Sequence, residues 1–401
     1  MVQSEVSTTL LNRLRQFQPE LALIRQDIHR HPELGFAEHR TASIVSALLQ
    51  QWGIEVHTGV GRTGVVGVLH GAAAASDRAV GLRADMDALP IQEQTQLPYE
   101  SVNAGVMHAC GHDGHTAVLL GAARYLAEHN DFSGTVHFIF QPAEEGLGGA
   151  QAMLDEGLFE RFPCDAVYAL HNWPSLPAGV IGVNSGPMMA AADRFEITVT
   201  GRGGHGAHAY LSKDPVVVAA HLITALQTIV SRNVPAMESA VLTVSAVQAG
   251  NLDAHSVIPQ EAKMTGTVRS FCSDVQHEII RRMQALCDGA AVSFDAGVTL
   301  DYHRLFPATI NTPAHAERVV EVAQSLFGDE KVVSDLRPSM GAEDFSFMLA
   351  RRPGAYFRLG QGGAELGRLL HNTKFDFNDA VLPAGSAMFV QLALRYLADP
   401  C

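Results

Sequence analysis

"RFEITVTG", residues 194–201, alternates apolar Phe195, Ile197 and Val199 with polar Glu196, Thr198 and Thr200. A period of two with one apolar side marks a strand that is buried on one face and wet on the other, the habit of antiparallel sheets. Upstream the texture differs. "GVVGVLH" (64–70), "AVGLRA" (79–84), "GTVHFIF" (134–140) and "DAVYAL" (165–170) are short apolar runs, and residues 114–129 set Val118, Ala122, Tyr125 and Leu126 on one helical face. Such runs alternating with helices fit an α/β sheet covered on both faces. A second, different sheet therefore starts just before residue 194.

From there the pattern reads strand 194–200, helix 214–232, strand 239–248, strand 260–270, helix 273–288 and strand 291–299. This β-α-β-β-α-β order is the ferredoxin-like one. Mixed helices and short strands resume after "DYHRLFPA" and end in an amphipathic helix over about 383–398. The expected architecture is a discontinuous α/β domain, residues 1–186 and 303–401, whose mixed sheet is flanked by helices. An inserted α+β domain, residues 187–302, interrupts it.

The chain carries 28 Lys plus Arg against 42 Asp plus Glu, a formal net charge of −14. That balance repels nucleic acid and anionic membrane surfaces, so neither is an expected partner. An anionic substrate must then meet a local arginine or a metal. The first 30 residues read as a charged amphipathic helix without a signal-peptide core, which points to the cytoplasm. No apolar run approaches the roughly 18 residues that span a bilayer. Five cysteines, Cys110, Cys164, Cys272, Cys287 and Cys401, are scattered and never form a CxxC pair. They read as reduced thiols rather than as a disulfide framework or a zinc-finger module.

Ligands of open α/β sheets bind beyond the carboxyl ends of strands. Asp85 and Asp87 follow one strand, Glu144 and Glu145 another, and His171 a third, while Cys110, His112, Asp113 and His115 crowd the Gly-rich start of the helix from 114. Two readings of "MHACGHDGHTA" (107–117) compete. In one, Asp113 caps the helix and the histidines satisfy buried polar groups. In the other, Cys110 and His112 point into one space and share a metal. The neighbouring Glu144 and Glu145 tip the balance toward metal, since adjacent carboxylates repel unless a cation or a raised pKa relieves them. A hydrolytic metal site uses one carboxylate as ligand and leaves its neighbour free to take a proton from water.

At this point the motifs together resemble a known family. "RHPELGF" (30–36), "LRADMDALP" (82–90), "MHACGHDGHTA", "FQPAEEGLGGA" (140–150), "HNWP" (171–174), "GRGGHGAH" (201–208), "GTVRSF" (266–271), "SMGAEDFSFM" (339–348) and "HNTKFDF" (371–377) occur in one order. They look like the amidohydrolase branch of the aminoacylase and carboxypeptidase metallopeptidases, from about residue 25 to the C-terminus. The resemblance implies a catalytic α/β domain carrying an inserted lid or dimerisation domain, in a homodimer or dimer-based oligomer. It implies hydrolysis of N-acyl-L-amino acids, hippurate-like, N-acetyl or related, to a carboxylic acid and a free amino acid. Two divalent ions (Zn, Mn, Co or Ni) are implied, bridged by Cys110 and completed by His112, Glu145, His171 and His371. Glu144 becomes the general base, Asp85 a support behind the metal shell, and His205 a lid imidazole that stabilises the oxyanion. Arg83 stands where the carboxypeptidase branch has a metal-binding histidine.

Arg269, in "GTVRSF", is the candidate partner of the substrate α-carboxylate. Ser256 and Ala209 depart from the family's usual asparagine and proline, which bears on recognition of the substrate tail. His29, His31 and His39 read as structural or surface residues, and Glu343 and Asp344 as neighbours of the site. His115 and His208 receive no role. The competing activities are a dipeptidase or carboxypeptidase of the same superfamily and a non-catalytic ligand-binding relative.

Overall fold

The computed structural model describes residues 2–74 and 76–398, so Cys401 lies outside the described residues. The chain divides into two compact units: Met1–Met188 with Ile310–Pro338 and Asp344–Cys401, and Met189–Thr309 with Ser339–Glu343.

The first unit is built on a mixed sheet of eight strands among the described residues. In spatial order these are Glu55–Val60, Gly64–His70, Thr135–Gln141, Ala79–Asp85, Ala166–Trp173, Gly354–Gly360, Ile181–Gly182 and Val332–Val333. The four central ones, from Thr135–Gln141 to Gly354–Gly360, run parallel. Every residue of Ala79–Asp85 is buried, the state that continuous apolar runs predict for parallel strands. Helices Val2–Arg30, His39–Gln51, His112–Glu128 and Leu382–Ala398 pack around the sheet and one another. Leu82, Phe138, Tyr168 and Phe357 share one core with Val118, Leu120 and Phe389. The parallel strands deliver Asp85, Gln141 and His171 to one edge of this sheet.

The second unit has four antiparallel strands in the order Ala240–Ala249, Glu261–Ser270, Ala191–Thr200 and Gly297–Phe306. Phe195, Ile197 and Val199 are buried against Val218, Leu222 and Leu226 of the helix Pro215–Asn233 and against Ile279 and Met283 of Ser273–Phe294. Arg194, Glu196 and Thr200 stay exposed, so the alternation that opened the sequence reading is a burial pattern.

Two expectations need correction. The last strand of this unit is Gly297–Phe306, because "AAVSF" (290–294) continues the helix Ser273–Phe294. The helix stops only where Asp295 turns left-handed at φ 50. Two helical segments, Pro215–Asn233 and Asp379–Ala398, are also long and apolar enough to cross a membrane by length and composition, with mean hydropathy 1.3. The second keeps 67% of its apolar window buried within the protein, as a core helix does.

Candidate metal centre

The helix His112–Glu128 starts from Gly111, whose φ of 99 belongs to the left-handed region. Only glycine fits there, since a Cβ would run into the side chain of Asn172. This sharp entry turns Cys110 and His112 toward the strand carrying His171. Asp113 does not cap the helix, contrary to the simpler reading: no side-chain cap bond forms, and its buried carboxylate instead lies 2.9 Å from His29 Nδ1.

Cys110 Sγ lies 3.3 Å from His171 Nε2. The other nitrogen of His171, Nδ1, donates to the carbonyl of Asn172 at 2.7 Å. His112 is arranged the same way, its Nδ1 donating to Asp87 Oδ1 at 3.1 Å. Both rings thus commit Nδ1–H to an oxygen of the protein and turn Nε2 toward the cluster, the orientation a metal-ligating imidazole requires. Asp87 holds a second element as well, because its Oδ2 accepts from the backbone N–H of Glu145 at 2.9 Å.

His112 Nε2 and Glu145 Oε1 are buried, 3.9 Å apart, and neither makes a hydrogen bond. His371 Nε2 stands 3.3 Å from the same Glu145 oxygen. Ligands at about 2.0–2.3 Å from a tetrahedral ion are themselves separated by roughly 3.3–3.8 Å; the 3.3 Å spacing falls in that range and the 3.9 Å one just beyond it. Two triads, Cys110 with His112 and His171 and Cys110 with Glu145 and His371, have ligand atoms within 4.8 Å of one another. They share the thiol. A third, His112 with Glu144 and Glu145, meets the same criterion. The donor set of thiol, imidazoles and carboxylates suits a divalent transition ion.

The electrostatics point the same way. Burial pushes the Cys110 thiol far above its usual range, and Glu145, Glu144 and Asp85 raise it further. His171 is driven well down by burial and then by His115. His112 resists burial, because Asp85 and Asp87 lift it to about 10. Thiol and carboxylates crowded together in a dry space are a deficit of positive charge that a divalent ion corrects.

Behind these groups, His115 Nδ1 donates to Asp85 Oδ1 at 2.6 Å and His115 Nε2 lies 2.6 Å from Asn172 Oδ1. Arg83, wholly buried, donates to Asp85 Oδ2 at 2.7 Å, Asp344 Oδ1 at 3.1 Å and Gln141 Oε1 at 2.8 Å. Burial opposes the charge on Asp85, yet His112, Arg83 and His115 hold its carboxyl well below the usual range. Asp344 donates its backbone N–H to Glu144 Oε1 at 3.3 Å. Ala143, just before the glutamate pair, and His371 both adopt left-handed backbone, at φ 53 and 61. Each costs about 1–3 kcal/mol in a non-glycine residue, a strain that collects at functional loops.

Cys110, His112, Glu144, Glu145, His171 and His371 therefore come together, with Asp85 directly behind them. His205 and Arg269 belong to the second unit. His205 is exposed, and its Nδ1 accepts from the backbone N–H of Ala207 at 3.1 Å. Arg269 is half-buried and is pushed down by burial, which Asp193 partly offsets. Sequence reasoning missed the double role of Asp87 and the part of Asn172. The first had a signal, standing two residues beyond Asp85 at a strand end. The second had none, since its contact follows from the left-handed turn at Gly111.

Residues 81–395 match the profile of peptidase family M20/M25/M40. The chain is 43% identical to a hippurate hydrolase of Campylobacter jejuni over 97% of its length and 99% of the relative's. It is 37% identical to an N-acetylcysteine deacetylase of Bacillus subtilis, covering 96% of this chain and 98% of that one. A Bacillus subtilis crystal structure described as a dinuclear metal binding peptidase of the M20 family superposes with a TM-score of 0.84 at 34% identity, over 96% and 99% of the two chains.

Proposed function

The chain belongs to peptidase family M20/M25/M40 and is a metal-dependent amidohydrolase, and from that premise we propose that it hydrolyses N-acyl-L-amino acids. The observation that carries this reading is the meeting of His112 Nε2 and Glu145 Oε1, buried without hydrogen bonds, beside a second glutamate, Glu144.

We assign Cys110, His112, Glu145, His171 and His371 as the residues that would hold two divalent ions, Cys110 belonging to both candidate triads. Ions bound there would supply Lewis-acid polarisation of the amide carbonyl and of water. Glu144 accepts a proton from the attacking water as its oxygen bonds to the acyl carbon. It then passes that proton to the amide nitrogen as the C–N bond breaks, leaving a carboxylic acid and a free amino acid. His171 and His112 are oriented for the task by Asn172 and Asp87, and Asp85 is held anionic behind them by Arg83 and His115. His205 and Arg269 take the substrate-facing roles, an imidazole N–H for the oxyanion and a guanidinium for the α-carboxylate. The Arg269 guanidinium makes no side-chain hydrogen bond among the described residues, and Asp193 is its electrostatic neighbour.

The relatives' names support a blocked, N-acyl substrate: one is a hippurate hydrolase and another an N-acetylcysteine deacetylase. Another, 36% identical, is a thermostable carboxypeptidase of Saccharolobus solfataricus, so the competing activity is a peptidase. A panel of N-benzoyl, N-acetyl and indole-acetyl amino acids beside free-amine dipeptides, given to chelated enzyme with Zn, Mn, Co or Ni restored, separates the two. The proposal expects hydrolysis of the blocked substrates. Turnover of dipeptides alone would overturn it.

We also propose a homodimer formed through the second unit. Its edge strand Ala240–Ala249 carries no charge, and the adjoining helix exposes Val216 and Val217. An uncharged edge invites pairing with a second copy. Sedimentation equilibrium measures this directly, with a dimer expected. The four described cysteines are unpaired, which accords with a proposed cytoplasmic location.

A further inference from the structure

Beneath the candidate centre lies a second group of charges that the reaction does not use. Arg25, on the N-terminal helix and wholly buried, forms a two-pronged contact with Asp379: Nε donates to Oδ1 at 2.8 Å and Nη2 to Oδ2 at 3.0 Å. Its Nη1 reaches Asp376 Oδ1 at 3.3 Å and Asp113 Oδ2 at 3.4 Å. One turn further along the same helix, His29 lies between Asp113 Oδ2, 2.9 Å from Nδ1, and Glu93 Oε1, 3.1 Å from Nε2. Tyr99 closes the group. Its hydroxyl donates to Asp376 at 3.1 Å, and its ring lies under the Arg25 guanidinium at 4.6 Å.

Asp113 and Asp376 sit on the segments that bear the proposed ligands. Asp113 directly follows His112. Asp376 is five residues past His371, across a turn in which Lys374 N–H donates to Asn372 Oδ1 and Phe375 N–H to the Asn372 carbonyl, both at 2.9 Å. Phe375 and Phe377, on either side of Asp376, are buried. The two segments touch directly through the His371 N–H, which donates to the Ala109 carbonyl at 2.8 Å. Arg25 Nη1 is the group that bonds to carboxylates of both.

We propose that Arg25 and His29 are positioning residues that hold the His112 segment and the His371 segment at the spacing one shared metal site requires. The inference rests on the ligand assignment above. Arg25 Nη1 lies between the like-charged Asp113 and Asp376 and ties both segments to one helix, while His29 holds Asp113 to Glu93. Burial works against both cations, but the carboxylates outweigh it, raising Arg25 and bringing His29 up to about 9. The triad of Cys110, Glu145 and His371 needs both segments, whereas Cys110, His112 and His171 needs only the first. Loss of Arg25 therefore weakens one ion selectively.

The test is cobalt(II) titration of the full chain by calorimetry, comparing wild type, Arg25→Met, Arg25→Lys and Asp376→Asn. Wild type is expected to bind two ions per chain. Arg25→Met should keep one at near wild-type affinity and hold the other at least about tenfold more weakly, a loss of the size reported for groups that orient metal ligands. Arg25→Lys should recover part of that loss, and kcat should fall while KM stays put. If Arg25→Met does not fold, Asp376→Asn carries the same expectation, since it removes the charge at unchanged volume. Two ions held with wild-type affinity in a folded variant would overturn the proposal, as would equal weakening of both. A wild-type chain that binds no cobalt would instead overturn the ligand assignment.

Discussion

His112 Nε2 and Glu145 Oε1 face each other across 3.9 Å, buried and without a hydrogen bond, on two segments that the single side chain of Asp87 fastens together. Two polar atoms left bare inside a protein cost stability unless a ligand repays it. Replacing Asp87 by Asn leaves both segments in place but exchanges one accepting oxygen for an NH2 group. Metal affinity should fall by about 10–100-fold, the usual effect of losing a group that orients a ligand. Competition against a chelator of known affinity measures it.

Gly111 permits the turn that delivers Cys110 and His112. Gly111→Ala adds a Cβ at φ 99 and against Asn172. The variant should lose at least about 1–3 kcal/mol from the backbone alone. Urea denaturation reads the stability, and metal content should fall with it.

His29 makes stability depend on pH. Its folded pKa, about 9, stands above the ordinary 6.5. The stabilisation is therefore complete below about pH 6.5 and disappears as pH rises through about 9. The urea midpoint of the wild type should decline across that window more than that of His29→Gln. Parallel curves for the two proteins would contradict the assignment.

His108 and His137 are shifted the other way, each down to about 4 by burial, with neighbouring histidines adding to it. Their contribution is present above about pH 6.5 and is lost as pH falls through about 4. His137→Phe should be less sensitive to acid than the wild type in that range, as followed by circular dichroism.

His205 tests the second unit's part in the reaction. If it donates to the oxyanion, His205→Ala should lower kcat by about 10²–10³. KM and metal content should stay near wild type. Steady-state kinetics with metal analysis checks this.

Much of the centre was legible because its groups follow strands, where topology gathers them whatever their separation in sequence. Cys110 and His171 illustrate it: 61 residues apart, they meet because a parallel strand and a helix start share one sheet edge. The alternation at Phe195, Ile197 and Val199 likewise disclosed the second sheet, since one-sided burial writes a period of two into the chain. What stayed hidden depends on tertiary contact. Asp113 looked like a cap, but the buried Arg25 and His29 offered it more than a backbone N–H could. Neither pairing has a spacing to reveal it, as Arg25 and Asp376 are 351 residues apart. The strand expected at 291–299 failed for a local reason, because an apolar run of that length suits a helix end as well as a strand.

The assignment of Glu144 as the group that moves the proton is tested most directly by the turnover of N-benzoylglycine by metal-loaded Glu144→Ala. The account predicts wild-type metal content with a rate lower by about 10²–10⁴, the range that general acid–base catalysis supplies. A rate within a few-fold of wild type would contradict it.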